Sequence, residues 1–400
     1  MKGLLFGGLA VLVLGTGVTH SEGQTKEVTY GNTIEPMFRT KCLACHNGSQ
    51  VAPFDFSTYQ GVKSRVELIR TQLLSKSMPP VWTHSDFGPI ALVDQLTDED
   101  SVNFQKWVQT GMPEGHSVRL NYGLEAGFSK EGALPTVALK LGLGVKVRAD
   151  GVPYWKVHTI DLPKKGGSFD RFWIQPDNSK VLRSATLAIV PKTMKVPAET
   201  FGSMDIPGKY LVGSWAPGYR QWKLPTGIAK KYPPNSKLVV QALYRPTGKT
   251  EAAGLRVDLL GGASRKATEP QWISLEKKPF FLNAGESFVV DLPYEVKRDT
   301  RLITILPEAR FYAGKVQLLL ATPGKEPKIV FEDMRWDPYW IGNFSPRQPI
   351  AIPKGSTLIA RFHYNNDENC RINQGRPLVP VKEGPTASDE VCRMHLLVEP

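Results

Sequence analysis

The chain is poor in cysteine, in long apolar runs and in blocks of like charge. Four cysteines in 400 residues are too few for a scaffold built on disulfides. No segment after residue 18 approaches the roughly 20 apolar residues that cross a bilayer, so membrane-spanning helices are not expected beyond that point. Lys and Arg exceed Asp and Glu by 12, but they are scattered, without the basic run of a nucleic-acid arm. Nucleic acid is therefore not an expected partner. The excess suits an acidic protein partner or an anionic surface, with a generally basic exterior as the plainer alternative. There is also no second Cys/His pair at ligand spacing, which leaves a four-ligand zinc site without half of its donors.

Two of the four cysteines lie in Cys42-Leu43-Ala44-Cys45-His46. A CxxCH run supplies two thiols for covalent haem attachment and one imidazole for iron. One haem c is the expected cofactor, with thioethers at Cys42 and Cys45 and His46 as an axial ligand. A redox CxxC pair and half of a zinc site are the competing readings. Thioether attachment is made outside the cytoplasm, and the start of the sequence has an export pattern. Lys2 is a short positive region, Gly3 to Val18 is uncharged and mostly apolar, and Thr19-His20-Ser21 is a small-residue cleavage site. Residues 1–21 are thus expected to be a signal peptide, and the mature protein to be soluble and periplasmic or otherwise exported. No Cys near the cleavage site speaks for a lipid anchor. Cys370 and Cys392 remain as an expected disulfide, with two unrelated free thiols as the alternative.

Residues 27–117 have helical patterning. Asn32 to Arg39 leads into the CxxCH run. Tyr59, Val62, Val66, Ile69 and Leu73 then recur at spacings of three and four, one apolar face of a helix. Thr97 with Asp100 three residues on announces a third helix, carrying Phe104, Trp107 and Val108 and stopping at Gly111. Three short helices around CxxCH make a small all-α cytochrome c domain. Met78-Pro79-Pro80 offers the sixth iron ligand, because two prolines stiffen the loop that carries the thioether. Met37 is too close to the attachment site, Met112 follows the third helix, Trp82 is expected near the haem edge, and His84 is a weaker ligand candidate.

Residues 118–150 read as a loose linker. Beyond it the pattern changes to short strands such as Phe172-Trp173-Ile174, Leu238-Val239-Val240 and Val316 to Leu320, separated by Pro, Gly, Asn and Asp turns. That pattern predicts all-β sandwiches. The run from Pro233 through Asn235-Ser236-Lys237-Leu238 to Tyr244 is echoed by Pro353 through Gly355-Ser356-Thr357-Leu358 to Tyr364. Asn235 and Gly355 both suit a left-handed turn before a strand. Two tandem sandwiches are expected, over 151–267 and 268–400; convergent turn chemistry is the alternative.

These residues carry a resemblance. Gly213-Ser214-Trp215-Ala216-Pro217-Gly218, Leu224-Pro225-Thr226-Gly227, the Pro-x-x-Ser-x-Leu turn, Tyr244-Arg245-Pro246-Thr247-Gly248 and Ser388-Asp389-Glu390-Val391-Cys392 resemble the copper type II, ascorbate-dependent monooxygenases. This is the family of peptidylglycine alpha-hydroxylating monooxygenase. Ala52-Pro53-Phe54, Met78-Pro79-Pro80, Leu96-Thr97 and Gly111 to Gly115 look like the cytochrome c domain found ahead of such sandwiches in bacterial proteins. The resemblance implies two jelly-roll-like sandwiches with copper sites facing a cleft between them. The ligand positions depart from it. Arg183-Ser184 stands where the family has His-His, Leu243 where it has a third His, Glu308-Ala309-Arg310 where it has His-x-His, and Val391 where it has Met. Guanidinium has no lone pair to donate, and Leu and Val have no ligand atom. Copper is therefore not expected, and His158, His363 and His395 read as strand or surface histidines.

Carried over, the cleft would be lined by Arg183, Glu308 and Arg310 with Arg245 nearby, a set suited to an anion or a partner's acidic surface. The plain alternative is that Glu308 and Arg310 pair or face solvent. The leading expectation is an electron-transfer cytochrome whose copper-free sandwiches dock it to a redox partner or a larger assembly, with no catalytic residues of its own. A divergent copper-dependent or haem-fed monooxygenase or oxidoreductase is the alternative. A third reading makes the sandwiches a binding module for a cell-surface polymer or an exported peptide, with the haem as sensor.

Overall fold

The computed structural model describes residues 27–48, 51–78, 80, 83–91, 96–116, 137–197, 202–219, 222–261 and 267–399. The expected signal peptide, Pro79, Trp82 and much of the expected linker lie outside the described residues. Four α-helices come first: α1 (Glu35–Lys41), α2 (Tyr59–Lys63), α3 (Val66–Leu74) and α4 (Asp98–Gln109). A π turn, Tyr30–Ile34, runs into α1. The charges of α1 follow its dipole, with Glu35 in the first turn and Arg39 and Lys41 in the last. α4 starts as its sequence predicts: Asp100 N–H donates to Thr97 Oγ1 at 3.1 Å while Thr97 N–H donates to Asp100 Oδ2 at 2.7 Å. It ends before Gly111, which adopts φ +85°.

The single helix expected across Tyr59 to Leu73 is two. Arg65 leaves the helical region at φ −129°, ψ 22°, and its guanidinium lies 4.8 Å from the Phe54 ring centroid. The apolar face survives the break, since Tyr59, Val62, Val66, Ile69 and Leu73 all join one core with Phe38, Phe104 and Trp107. An ion pair from Lys41 to Asp100 fastens the end of α1 to the start of α4.

The remaining chain forms antiparallel sheets. In the first sandwich one sheet has strands Tyr154–Asp161, Ser236–Tyr244, Leu182–Pro191 and Leu211–Trp215, in that order; the other has Val137–Val147, Glu251–Leu260, Arg171–Pro176 and Trp222–Lys223. In the second, Gln271–Glu276, Arg393–Val398, Thr300–Glu308 and Ile350–Ile352 face a sheet of Lys328–Asp333, Ala313–Ala321, Thr357–Asn365 and Ser287–Glu295. The Val137–Val147 strand falls inside the expected linker and corrects it. It pairs along Glu251–Leu260, and Val137 and Leu139 enter the core of the first sandwich.

The internal echo has a structural basis. Asn235 and Gly355 take φ +57° and +80°, and Ser236 and Ser356 hydroxyls each donate to the carbonyl three residues back, at Pro233 and Pro353. Each turn feeds an interior strand of its sheet, Ser236–Tyr244 and Thr357–Asn365. The Pro-x-x-Ser pattern is therefore a turn held closed by its own serine.

The interior strands of the first-listed sheet of each sandwich are buried on both faces. Along Ser236–Tyr244, Leu238, Val240, Ala242 and Tyr244 fill the first sandwich's core, whereas Val239, with Val157, Ala188 and Val190, joins the core of the second. In the second sandwich Leu396 and Val398 point inward, while Leu397 and Ile303 pack into the first. The sheets thus stack in four layers, and Trp272 Nε1 donates across the junction to the Leu211 carbonyl at 2.8 Å.

A strap over residues 83–91 docks the helical unit onto the second sandwich, a feature absent from the sequence reading. Thr83–His84 extends the edge of that sheet beside Glu332 and Asp333, and Ile90–Ala91 pairs with Ser345–Pro346. His84 therefore lies in a strand, beside Asp86, and away from the CxxCH cavity. Among the described residues no helix is long and apolar enough to cross a membrane.

Val239, fully buried between the two sandwiches, contrasts with Val289, 52% exposed on an outer strand. Val239→Ala is expected to cost on the order of 2 kcal/mol in urea unfolding, and Val289→Ala less than about 0.5 kcal/mol. Equal losses would contradict the stacked-sheet arrangement.

Candidate functional site

Helix α1 ends at Lys41, and the following turn hydrogen-bonds Cys45 N–H and His46 N–H to the Cys42 carbonyl at 3.0 and 2.9 Å. This tight turn places both thiols and the imidazole along one cavity of about 690 Å³, within the roughly 300–1,000 Å³ of small-molecule and cofactor sites. Both cysteines are free. Burial pushes each thiol up to about 12, with Asp100 and Cys45 adding to the rise at Cys42 and Arg183 opposing it at Cys45. That upward direction is opposite to the lowered pKa of a redox CxxC.

His46 is held in one orientation. Its Nδ1 meets the Phe54 carbonyl at 3.2 Å, which sets Nδ1 as the donor and leaves Nε2 with its lone pair, the arrangement of a metal-ligating histidine. Its ring stacks on Phe56 at 4.5 Å, and burial lowers its pKa, keeping it neutral. No sequence pattern marks Phe56, and Phe54 is marked only by the resemblance.

Met78 borders the same cavity with Leu68, Ile69, Leu73 and Pro80. Its backbone follows the closed end of α3. Lys76 takes φ +52°, its N–H donates to the Leu73 carbonyl, and Ser77 N–H donates to Gln72 at 2.9 Å. Those two bonds make a Schellman closure. Since C′ is Lys rather than Gly, the sequence carries no sign of it. The cavity thus brings together Cys42, Cys45, His46 and Met78, and its donors fit a covalently attached haem with histidine and methionine as axial ligands.

The far wall comes from the sandwiches. Arg183, Tyr219, Trp222 and Arg245 of the first sandwich and Trp340 and Ser345 of the second border the cavity. The cleft expected from Arg183, Arg245, Glu308 and Arg310 is not one site. Arg183 and Arg245 lie over the Tyr339 ring, whereas Arg310 lies over Trp155. Between the two pairs, Trp155, Leu243, Ala387, Phe311 and Tyr339 close into an apolar cluster. Arg310 binds the Thr386 carbonyl and the Ser203 hydroxyl. Glu308 pairs with Arg393 at 3.2 Å and lies 3.5 Å from His395. Burial would raise its pKa, but Arg393, His395 and Arg310 pull it down to about 2.

No protein-family model and no curated protein matches the sequence. Solved structures similar to it are remote. N-glycanase F shares 11% identity over 66% of this chain and 95% of its own, at a TM-score of 0.32. The major capsid protein P2 of bacteriophage PM2 shares 9% over 58% and 99%, at 0.25. Oxalate decarboxylase from Bacillus subtilis shares 10% over 72% and 84%, at 0.12. At these TM-scores the likenesses carry no argument about fold or function.

The expected disulfide is not formed. Cys370 and Cys392 are both buried and free, and the Cys370 thiol turns to the Phe311 carbonyl at 3.8 Å. Among the described residues no group of three or more His, Cys, Asp and Glu is arranged to hold a metal ion. The three strand histidines have protein partners. His158 meets the Tyr244 hydroxyl at 3.1 Å, His363 meets Gln317 Oε1 at 3.2 Å, and His395 Nδ1 meets Ser274 Oγ at 2.7 Å.

Burial, aided by Lys156, lowers His158 from 6.5 to about 4. A base with a depressed folded pKa contributes stability that is complete above the unfolded value. It is lost as pH falls from about 6.5 toward 4, because the unfolded chain takes the proton first. From about pH 7 to about pH 4.5, this histidine should remove about 2–3 kcal/mol. Replacing it, in His158→Gln, should shrink the acid-induced fall of the unfolding free energy in urea by that amount; an unchanged profile would contradict the buried, neutral state.

Proposed function

We propose that this protein is an exported monohaem c-type cytochrome that transfers electrons, fused to a copper-free, monooxygenase-like double sandwich used for docking. What supports the reading above all is that Cys42, Cys45, His46 and Met78 all border one largely apolar cavity. Cys42 and Cys45 hold the haem covalently, and the Phe54 carbonyl keeps His46 in the tautomer that presents Nε2. Bound there, the haem supplies a one-electron Fe(II)/Fe(III) couple, and a methionine ligand favours a higher potential. Phe54, Phe56, Leu68 and Ile69 exclude water from its faces.

The leader-like start of the sequence fits maturation outside the cytoplasm. The sandwiches would present the haem unit to a redox protein, acidic in keeping with the net charge of +12. The monooxygenase-like description rests on the sequence resemblance. The copper-ligand positions instead hold Arg183, packed on Tyr339, Leu243, buried in an apolar cluster, and Glu308 and Arg310, bound in polar networks.

The test is metal analysis and a visible spectrum on protein made in a host that matures c-type haem, with copper offered during purification. One covalent haem per chain, a low-spin spectrum with the methionine-to-iron charge-transfer band, and no copper are expected. Met78→Ala should abolish that band and lower the midpoint potential while the haem stays attached. Cys42→Ala with Cys45→Ala should release the haem to acid extraction. Stoichiometric copper would overturn the reading in favour of a hydroxylase.

A further inference from the structure

The inner wall of the CxxCH cavity is cationic, and it belongs to a different unit from the one that carries the thiols. Arg183 and Arg245 border this cavity. With Lys180 they also border an adjoining hollow of about 350 Å³, whose other side is formed by Gly48, Val51, Ala52 and Pro53. Both guanidinium groups lie over one ring, 4.8 and 6.0 Å from the Tyr339 centroid. Two like charges therefore share a small space, where their repulsion calls for an anion. Arg183 is only 8% exposed, and its buried Nε–H has no hydrogen-bond acceptor, a costly state for a charged donor. The neighbouring Asp337 is already engaged, Oδ1 accepting from Tyr339 N–H at 3.0 Å and Oδ2 from Arg371 at 3.2 Å.

We propose that Arg183 and Arg245 form a clamp, supplied by the first sandwich, for the carboxylates of a haem attached at Cys42 and Cys45. This rests on the cytochrome reading above. Guanidinium forks match carboxylates in a bidentate manner and keep their charge at any working pH. The carboxylates would meet Arg183 at the buried end of the site and Arg245 at its exposed mouth. The cofactor would then be held covalently by the helical unit and electrostatically by the sandwich. Two fixed cations beside the carboxylates would keep them ionised into the acid range.

The experiment measures midpoint potential against pH on the full haem-loaded chain and on two variants. In Arg245→Gln, an exposed change that leaves buried packing alone, the acid limb of the curve should move up by about 1–3 pH units, and the plateau potential should fall. Arg183→Lys, which keeps the charge but loses the fork, should shift the limb less. Curves that superimpose on the parent for both variants would overturn the clamp while leaving the cytochrome reading intact. A parent chain without covalent haem would overturn both.

Discussion

The stacking of two sheets whose interior strands are buried on both faces is the constraint on which the other features of this molecule rest. A strand exposed on one side alternates apolar and polar residues, but one covered on both sides cannot. Leu182–Pro191 and Ser236–Tyr244 are accordingly almost continuously buried, and Arg393–Val398 is buried at every position. The junction also fixes small side chains at close approaches. A Cβ on Gly213 would come within 2.4 Å of Asn343 Nδ2, and Asn343 Oδ1 accepts from Ser214 N–H at 3.0 Å. With the sandwiches locked together, the Thr83–His84 and Ile90–Ala91 pairings fix the helical unit against the second of them. One cavity can then take walls from all three.

That dependence explains which features could be read from the sequence. Local devices were legible because their partners lie within a few residues: the Thr97–Asp100 cap, the left-handed Asn235 and Gly355, the CxxCH turn. Features made by distant contacts were not. The break at Arg65 has no Gly or Pro to mark it, and its guanidinium finds Phe54. The closure at Lys76 uses a residue that sequence rules do not favour in a left-handed position. The strap contributes strands of two residues each, too short for periodicity to register. Val137–Val147 contains Gly142 and Gly144 among lysines, which made it read as linker. Arg183 and Arg245 were noticed as charges, but only the fold could assign them to the CxxCH cavity in place of a cleft shared with Glu308 and Arg310.

The terminal Ser388 to Cys392 motif has an architectural role of its own. Asp389 Oδ2 accepts from Thr386 N–H and Oγ1 at 2.8 and 2.7 Å. Buried Glu390 accepts from the Arg310, Tyr312 and Val391 backbone N–H groups. These carboxylates clasp the loop after Thr300–Glu308 to the segment before Arg393–Val398, and a buried backbone donor left without such an acceptor is costly. Nothing in the clasp requires a metal ligand at position 391, where Val stands. The turn and clasp residues are thus tied to the backbone geometry of the sandwiches, and position 391 enters the clasp only through its backbone N–H.

The shared cavity also bears on what the sandwiches contribute to the proposed electron carrier. A haem unit docked only by a flexible tether would keep the same surroundings whether or not the sandwiches were gripped by a partner. Here Tyr219, Trp222 and Arg183 of the first sandwich and Trp340 of the second complete the wall, so the dielectric and the charge around the site depend on how the units sit together. Excluding water strengthens every electrostatic interaction inside the cavity. A shift of the strap or of the junction between the sandwiches would therefore alter the surroundings of His46 and Met78 without touching either residue. On the proposed reading, docking and redox poise are physically coupled, because the same surfaces that assemble the chain also set the environment of its iron.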